Sequence, residues 1–113
     1  MSDSLKVLGQ LEPSATTETV LYTVPNMSQT TVSSIVICNR SGSGRTYRIN
    51  ISVAGATTGN KEYLFYDKAI AANTTEAHVI GITLNQTDVV KVYASSGDLS
   101  FNLFGCETTE EDR

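Results

Sequence analysis

The sequence predicts an all-β fold: a single antiparallel β-sandwich of about eight short strands, paired in jelly-roll or Ig-like order. Three observations predict it. Thr, Ser, Val and Ile are abundant and long Leu/Ala/Glu/Lys runs are absent, a composition that suits pleated strands better than helices. Apolar residues recur with period two, most plainly at Tyr47, Ile49, Ile51 and Val53, as on a strand with one face buried. Turn signals punctuate the chain at intervals of about 8–12 residues. A chain of 113 residues makes one domain and can bury a core without staples.

Each element follows in order. Residues 1–4 are expected to be a polar N-terminal arm, and Leu5–Leu11 a first strand, on an edge. Pro13, which cannot donate to a ladder, ends its pairing. Glu18–Val24 is the second strand, with Val20, Tyr22 and Val24 on one face, and Pro25–Ser28 is a turn. Thr30–Val53 reads as a hairpin. Its first arm, Val32–Cys38, is a β-branched run with apolar residues on both sides, the pattern of a strand buried on both faces. Its turn, 39–45, holds Gly42 and Gly44, which reach positive φ at little cost. Its second arm alternates, with Thr46, Arg48, Asn50 and Ser52 expected on the wet face. Lys61–Asp67 is the aromatic fifth strand, Thr75–Ile82 the sixth, Val89–Ala94 the seventh and Leu99–Gly105 the eighth, with a hairpin-type turn at Ser96–Asp98. The sandwich domain is thus expected over 5–106, followed by a flexible acidic tail, 107–113.

Charge narrows the partners. Residues 5–106 carry seven basic and seven acidic side chains, so the net charge of −4 comes from Asp3 and the tail. A formally neutral body has no electrostatic footprint for nucleic acid. No apolar run approaches the roughly 20 residues of a membrane span, and Met1–Ser4 has no basic, apolar leader pattern. Neither nucleic acid nor a membrane is expected as a partner.

Catalytic and metal chemistry have little to work with. Cys38 and Cys106 stand apart, with no CxxC spacing and no histidine cluster for zinc. Cys38 reads as a small buried hydrophobe. His78 is the single histidine, and no nucleophile elbow accompanies it. Glu62 and Asp67 are five residues apart on one strand, on opposite faces, and make no acid–base pair. No calcium loop, phosphate loop or other cofactor motif is present. These readings argue for a binding or structural module without enzyme activity, cofactor or metal. The one basic concentration is Arg40, Arg45 and Arg48, interleaved with Tyr47. With Tyr66 these form the candidate protein-interface set, because Arg and Tyr are favoured at interface hot spots.

The segments Leu5–Gln10, Thr16–Pro25, Val32–Arg40, Tyr63–Asp67, Ile70–Asn73, Gly81–Leu84, Thr87–Val90, Val92–Ser96 and Leu99–Gly105 resemble small β-rich virion structural proteins of tailed bacteriophages, including phages of cyanobacteria. They are strand and turn signatures and carry no catalytic motif. The resemblance implies a structural protein of the virion. The expected role is capsid decoration, a cement protein on the outer capsid surface that binds the major capsid protein. The alternatives are a small tail, neck, baseplate or fibre-adaptor component, or a carbohydrate- or host-surface-binding module using Tyr63, Tyr66 and Tyr93. Edge strands in so small a domain add the expectation of a homo-oligomer, a trimer or dimer.

Overall fold

Strands from the two ends of the chain pair inward, one inside the next. A computed structural model describes residues 2–109. Among them are nine strands: β1 (Ser2–Leu11), β2 (Thr19–Thr23), β3 (Ser28–Asn39), β4 (Arg45–Ser52), β5 (Tyr63–Ile70), β6 (Thr75–His78), β7 (Ile82–Leu84), β8 (Val89–Ala94) and β9 (Leu99–Thr109). β1 pairs with β9, β2 with β8, β3 with β6 and β7, and β4 with β5, all antiparallel. Further pairing of β3 with β9 and of β4 with β8 rolls this nested set into two sheets. The first has the order β1-β9-β3-β6, with β7 also beside β3; the second has the order β2-β8-β4-β5. β6 lies along Ile35–Cys38 and β7 along Thr30–Val32, so together they fill one edge position. This order is a jelly roll, two Greek keys folded face to face, which decides between the two arrangements the strand list allowed.

The core lies between the sheets. Ile35, Ile37, Phe101 and Leu103 from the first sheet meet Tyr47, Ile49, Val90 and Val92 from the second, all nearly inaccessible to solvent. β9 shows why the sequence was legible here. Leu99, Phe101, Leu103, Gly105 and Glu107 are buried, and the residues between them are half-buried, an unbroken period of two. Gly105 is required by close approach: a Cβ there would lie 2.3 Å from the Thr31 carbonyl oxygen.

Thr30–Val53 is not a hairpin. β3 and β4 belong to opposite sheets, because both edges of β3 are already taken, by β9 on one side and by β6 and β7 on the other. The segment between them is an arch that crosses from layer to layer. Asn39 pins it: Nδ2 donates to the carbonyls of Ser43 at 2.9 Å and Ala71 at 3.0 Å, and Oδ1 accepts from the Ser41 N–H at 3.0 Å. The turn after β8 likewise joins strands of different sheets. β3 is also not buried on both faces. Thr31 and Ser33 are exposed, Val36 and Cys38 half-buried, so Cys38 is a residue of the outward face. The register separates the two cysteines: Cys38 stands opposite Ser100, and Cys106 opposite Thr31.

Other boundaries shift as well. Asp3 and Ser4, expected in a polar arm, pair with Thr108 and Glu107. Glu107–Thr109, expected in the acidic tail, continue β9. The tail residues beyond Thr109 lie outside the described residues. On β4, Asn50 and Ser52 are buried while Val53 is 68% exposed. The cause is the 53–62 excursion, which folds back over this end: Ala54 N–H donates to Asp88 Oδ1 at 2.9 Å, and Thr58 Oγ1 to Glu18 Oε1 at 3.0 Å. Asn50 Nδ2 then finds Glu18 Oε2 at 2.9 Å, so its burial leaves no unsatisfied amide.

Candidate interaction surfaces

The expected arginine cluster is not a cluster in space. Arg40 is exposed but tied down, with Nε donating to Ser100 Oγ at 3.1 Å, a second nitrogen to the Gly97 carbonyl at 2.9 Å, and an ion pair to Glu12. Arg45 sits 3.5 Å from Asp98. Arg48 donates to Asp67 Oδ1 at 2.7 Å. Each guanidinium therefore has its own carboxylate, and no open basic patch results. Such exposed pairs contribute little individually to stability; their consequence here is local neutrality.

Arg48 and Tyr66 do come together. The Arg48 guanidinium carbon lies 4.3 Å from the ring centroids of both Tyr66 and Tyr93, a cation between two π faces. Tyr63 meets Tyr66 edge-on, with centroids 4.8 Å apart and planes at 81°. Hydrogen bonding to Asp67 pushes the Arg48 guanidinium further above its ordinary value, against the pull of burial. The arrangement follows from pairing: Arg48 stands opposite Tyr93 on β8, and register shifts in β5 turn Tyr66 and Asp67 onto the same patch. It is a preorganised, electrically neutral aromatic surface.

Tyr47 is withdrawn from the interface set. It is completely buried, packed against Phe101 and Phe65 with centroids 6.1 and 6.2 Å apart. Its hydroxyl donates to Glu76 Oε1 at 2.7 Å and lies 2.6 Å from His78 Nε2. His78 stacks on Phe65 at 4.3 Å. A second cross-sheet group escaped the sequence reading. The Tyr22 hydroxyl donates to Glu107 Oε2 at 2.5 Å and meets Thr30 Oγ1 at 2.7 Å, while Lys6 Nζ lies 2.8 Å from Glu107 Oε1. The signal was present: Glu107 continues the inward alternation of Phe101 and Leu103. Burial pushes both glutamates up, but hydrogen bonds from Tyr47 and Lys68 to Glu76, and from Lys6 and Tyr22 to Glu107, hold them below the ordinary carboxylate value. Burial, then the neighbouring carboxylate, pushes both tyrosines up. Among the described residues no three metal-ligating side chains converge.

The outward face of the first sheet is chemically different. β3 contains no charged residue, and the one in β9, Glu107, points inward. Its outward rows read Leu5, Cys106, Thr31 and then Val7, Phe104, Ser34. No helix is long and apolar enough to cross a membrane among the described residues.

No known family profile matches the sequence, and no curated protein matches it. Solved structures on which the chain superposes include two from viral sources. A chain in the structure of infectious bursal disease virus, Gx strain, superposes with a TM-score of 0.52 at 12% identity, covering 94% of this chain and 30% of that one. The crystal structure of a pentameric capsid protein isolated from metagenomic phage sequences gives a TM-score of 0.41 at 12% identity, over 94% of this chain and 64% of that one. This chain therefore spans less than a third of the viral chain it superposes on. The first likeness is one of fold alone.

Proposed function

We propose that this chain is a non-enzymatic structural protein of a bacteriophage virion, in the role of a decoration protein on the outer capsid. The observation that carries the reading is the nested strand order, β1-β9-β3-β6 facing β2-β8-β4-β5. It is the jelly-roll order used in viral capsid domains, and the likeness to a chain of a virus particle accords with it. The interior accords with the same reading, because its buried tyrosines and glutamates are spent on bridging the two sheets. A domain that binds the assembled shell and not its free subunits stabilises the shell by mass action.

Cryo-electron microscopy of the particle is the test. Density for this fold at junctions between capsid protein subunits, repeated over the head, is the expected result. A single ring of copies at the neck or tail would transfer the protein to the adaptor reading. Particles assembled without the chain are expected to release DNA at a lower temperature. The carbohydrate-binding alternative is weaker, because Arg48 already covers ring faces of Tyr66 and Tyr93 that a sugar would need.

A further inference from the structure

Each sheet has two edges, and three of the four are blunted. An edge strand presents unpaired N–H and C=O groups, and proteins guard such edges with charges, bulges or short strands. β5 breaks register twice, holds Asp67 at φ 51° and carries Lys68. β2 has five residues and breaks register between Val20 and Tyr22. The edge formed by β6 and β7 is interrupted between His78 and Ile82.

β1 is the least guarded of the four: its one register break falls late, between Val7 and Gly9, and its charges are Asp3 and Lys6. From Ser2 to Val7 it holds an unbroken register against Thr109 to Phe104. Its one cation, Lys6, is half-exposed and neutralised by Glu107 at 2.8 Å. Leu5 is 86% exposed and Val7 48% exposed, and both continue into Cys106 and Phe104 on the neighbouring strand. Among the described residues the result is a regular six-residue stretch on an unpaired sheet edge, with Leu5 and Val7 beside Asp3 on its outward face.

We propose that β1 pairs with β1 of a second copy of this chain, antiparallel about a two-fold axis at Leu5, joining two first sheets into one. The symmetry selects this occupant. A two-fold contact sets the same patch against itself, so fixed charge near the axis would be repelled. With the axis at Leu5, the residues that share a face are Leu5 with its own copy, Ser4 with Lys6, and Asp3 with Val7; no like charges meet. Moving the axis one residue, to Lys6, would oppose two ammonium groups. The charge-free outward face of β3 and β9 extends the apolar flank on both sides of the axis. Self-pairing is a property of the isolated chain and stands whether or not the chain belongs to a virion.

Sedimentation equilibrium over a range of concentrations tests it, on the full chain, Leu5→Lys, Leu5→Glu and an equimolar mixture of the two variants. The wild-type chain is expected to dimerise reversibly. Each single variant should weaken the dimer about tenfold or more, because like charges meet at the axis, and the mixture should restore it. Val79→Lys, 81% exposed beyond the opposite edge, should leave it unchanged. Val7→Lys repeats the test if a Leu5 variant does not keep the wild-type melting temperature. A wild-type monomer, a dimer indifferent to the Leu5 or Val7 variants, a mixture that fails to recover, or a dimer lost in Val79→Lys would each overturn the proposal. So would a monomer that takes up strands only from another shell protein.

Discussion

Two tyrosines bridge the sandwich from the second sheet to glutamates of the first, toward opposite ends of β3. Tyr22 reaches Glu107, which stands opposite Thr30, and Tyr47 reaches Glu76, which stands opposite Ile37. The chemistry is the same and the surroundings differ. Tyr47 is an aromatic hub among Phe65, His78 and Phe101. Tyr22 sits among polar groups: Thr30, Glu107 and, through it, Lys6. Glu107 is buried, whereas the Glu76 side chain keeps 24% of its accessibility and has Lys68 at 3.3 Å. One bridge is held by packing and the other by charge-assisted hydrogen bonds, so equal-looking contacts should respond differently to mutation.

Truncation should show the largest difference. Tyr47→Ala empties the hub and is expected to cost about 3–5 kcal/mol, a cavity effect, read as loss of most of the cooperative urea transition. Tyr22→Ala should cost less. If Tyr22→Ala proves the more damaging, packing does not distinguish the two ends.

Removing only the hydroxyls reverses the order. Tyr22→Phe leaves the buried Glu107 with Lys6 as its remaining partner and one oxygen short of a donor, and is expected to cost about 1–3 kcal/mol. Tyr47→Phe leaves Glu76 with Lys68 and solvent, and about 1 kcal/mol is expected. Equal costs in chemical denaturation would erase the contrast.

Acid tests both bridges together. The folded glutamates titrate below their unfolded value of about 4.5. Their contribution is therefore complete above that pH and disappears as pH falls through the lower folded values. Stability should decline below about pH 4.5. Glu76→Gln and Glu107→Gln should each flatten that decline; an unchanged acid limb in both would rule out these groups as its source.

The smallest effect belongs to the surface. Arg48→Ala removes the stacked guanidinium and its pair with Asp67, yet the site is open to solvent. A loss of about 1 kcal/mol or less is expected, with the melting transition still cooperative. A larger loss would mean that the stack supports β5 as well as covering it.

Strand positions were legible because alternation is local, and β8 and β9 fell within a few residues of their expected limits. The errors arose where two segments compete for one neighbour. Val36 and Cys38 look like the outer half of a doubly buried strand, but only the absence of a third layer decides that they face outward. Asn50 and Ser52 look wet, but the 53–62 excursion covers them. Tyr47 looked like a surface partner of the arginines, although its alternation with Ile49 already placed it inside.

The sequence by itself determined an all-β chain, the inward positions of most strands and the poverty of catalytic groups, because each depends on residue type and a period of two. Tertiary structure alone decided which strands share a sheet. A backbone edge can pair only once, and β3 spends both of its edges on β9 and on β6 with β7. That exclusion turned an expected hairpin into an arch, joined distant Tyr22 to Glu107, and left β1 as the least guarded edge.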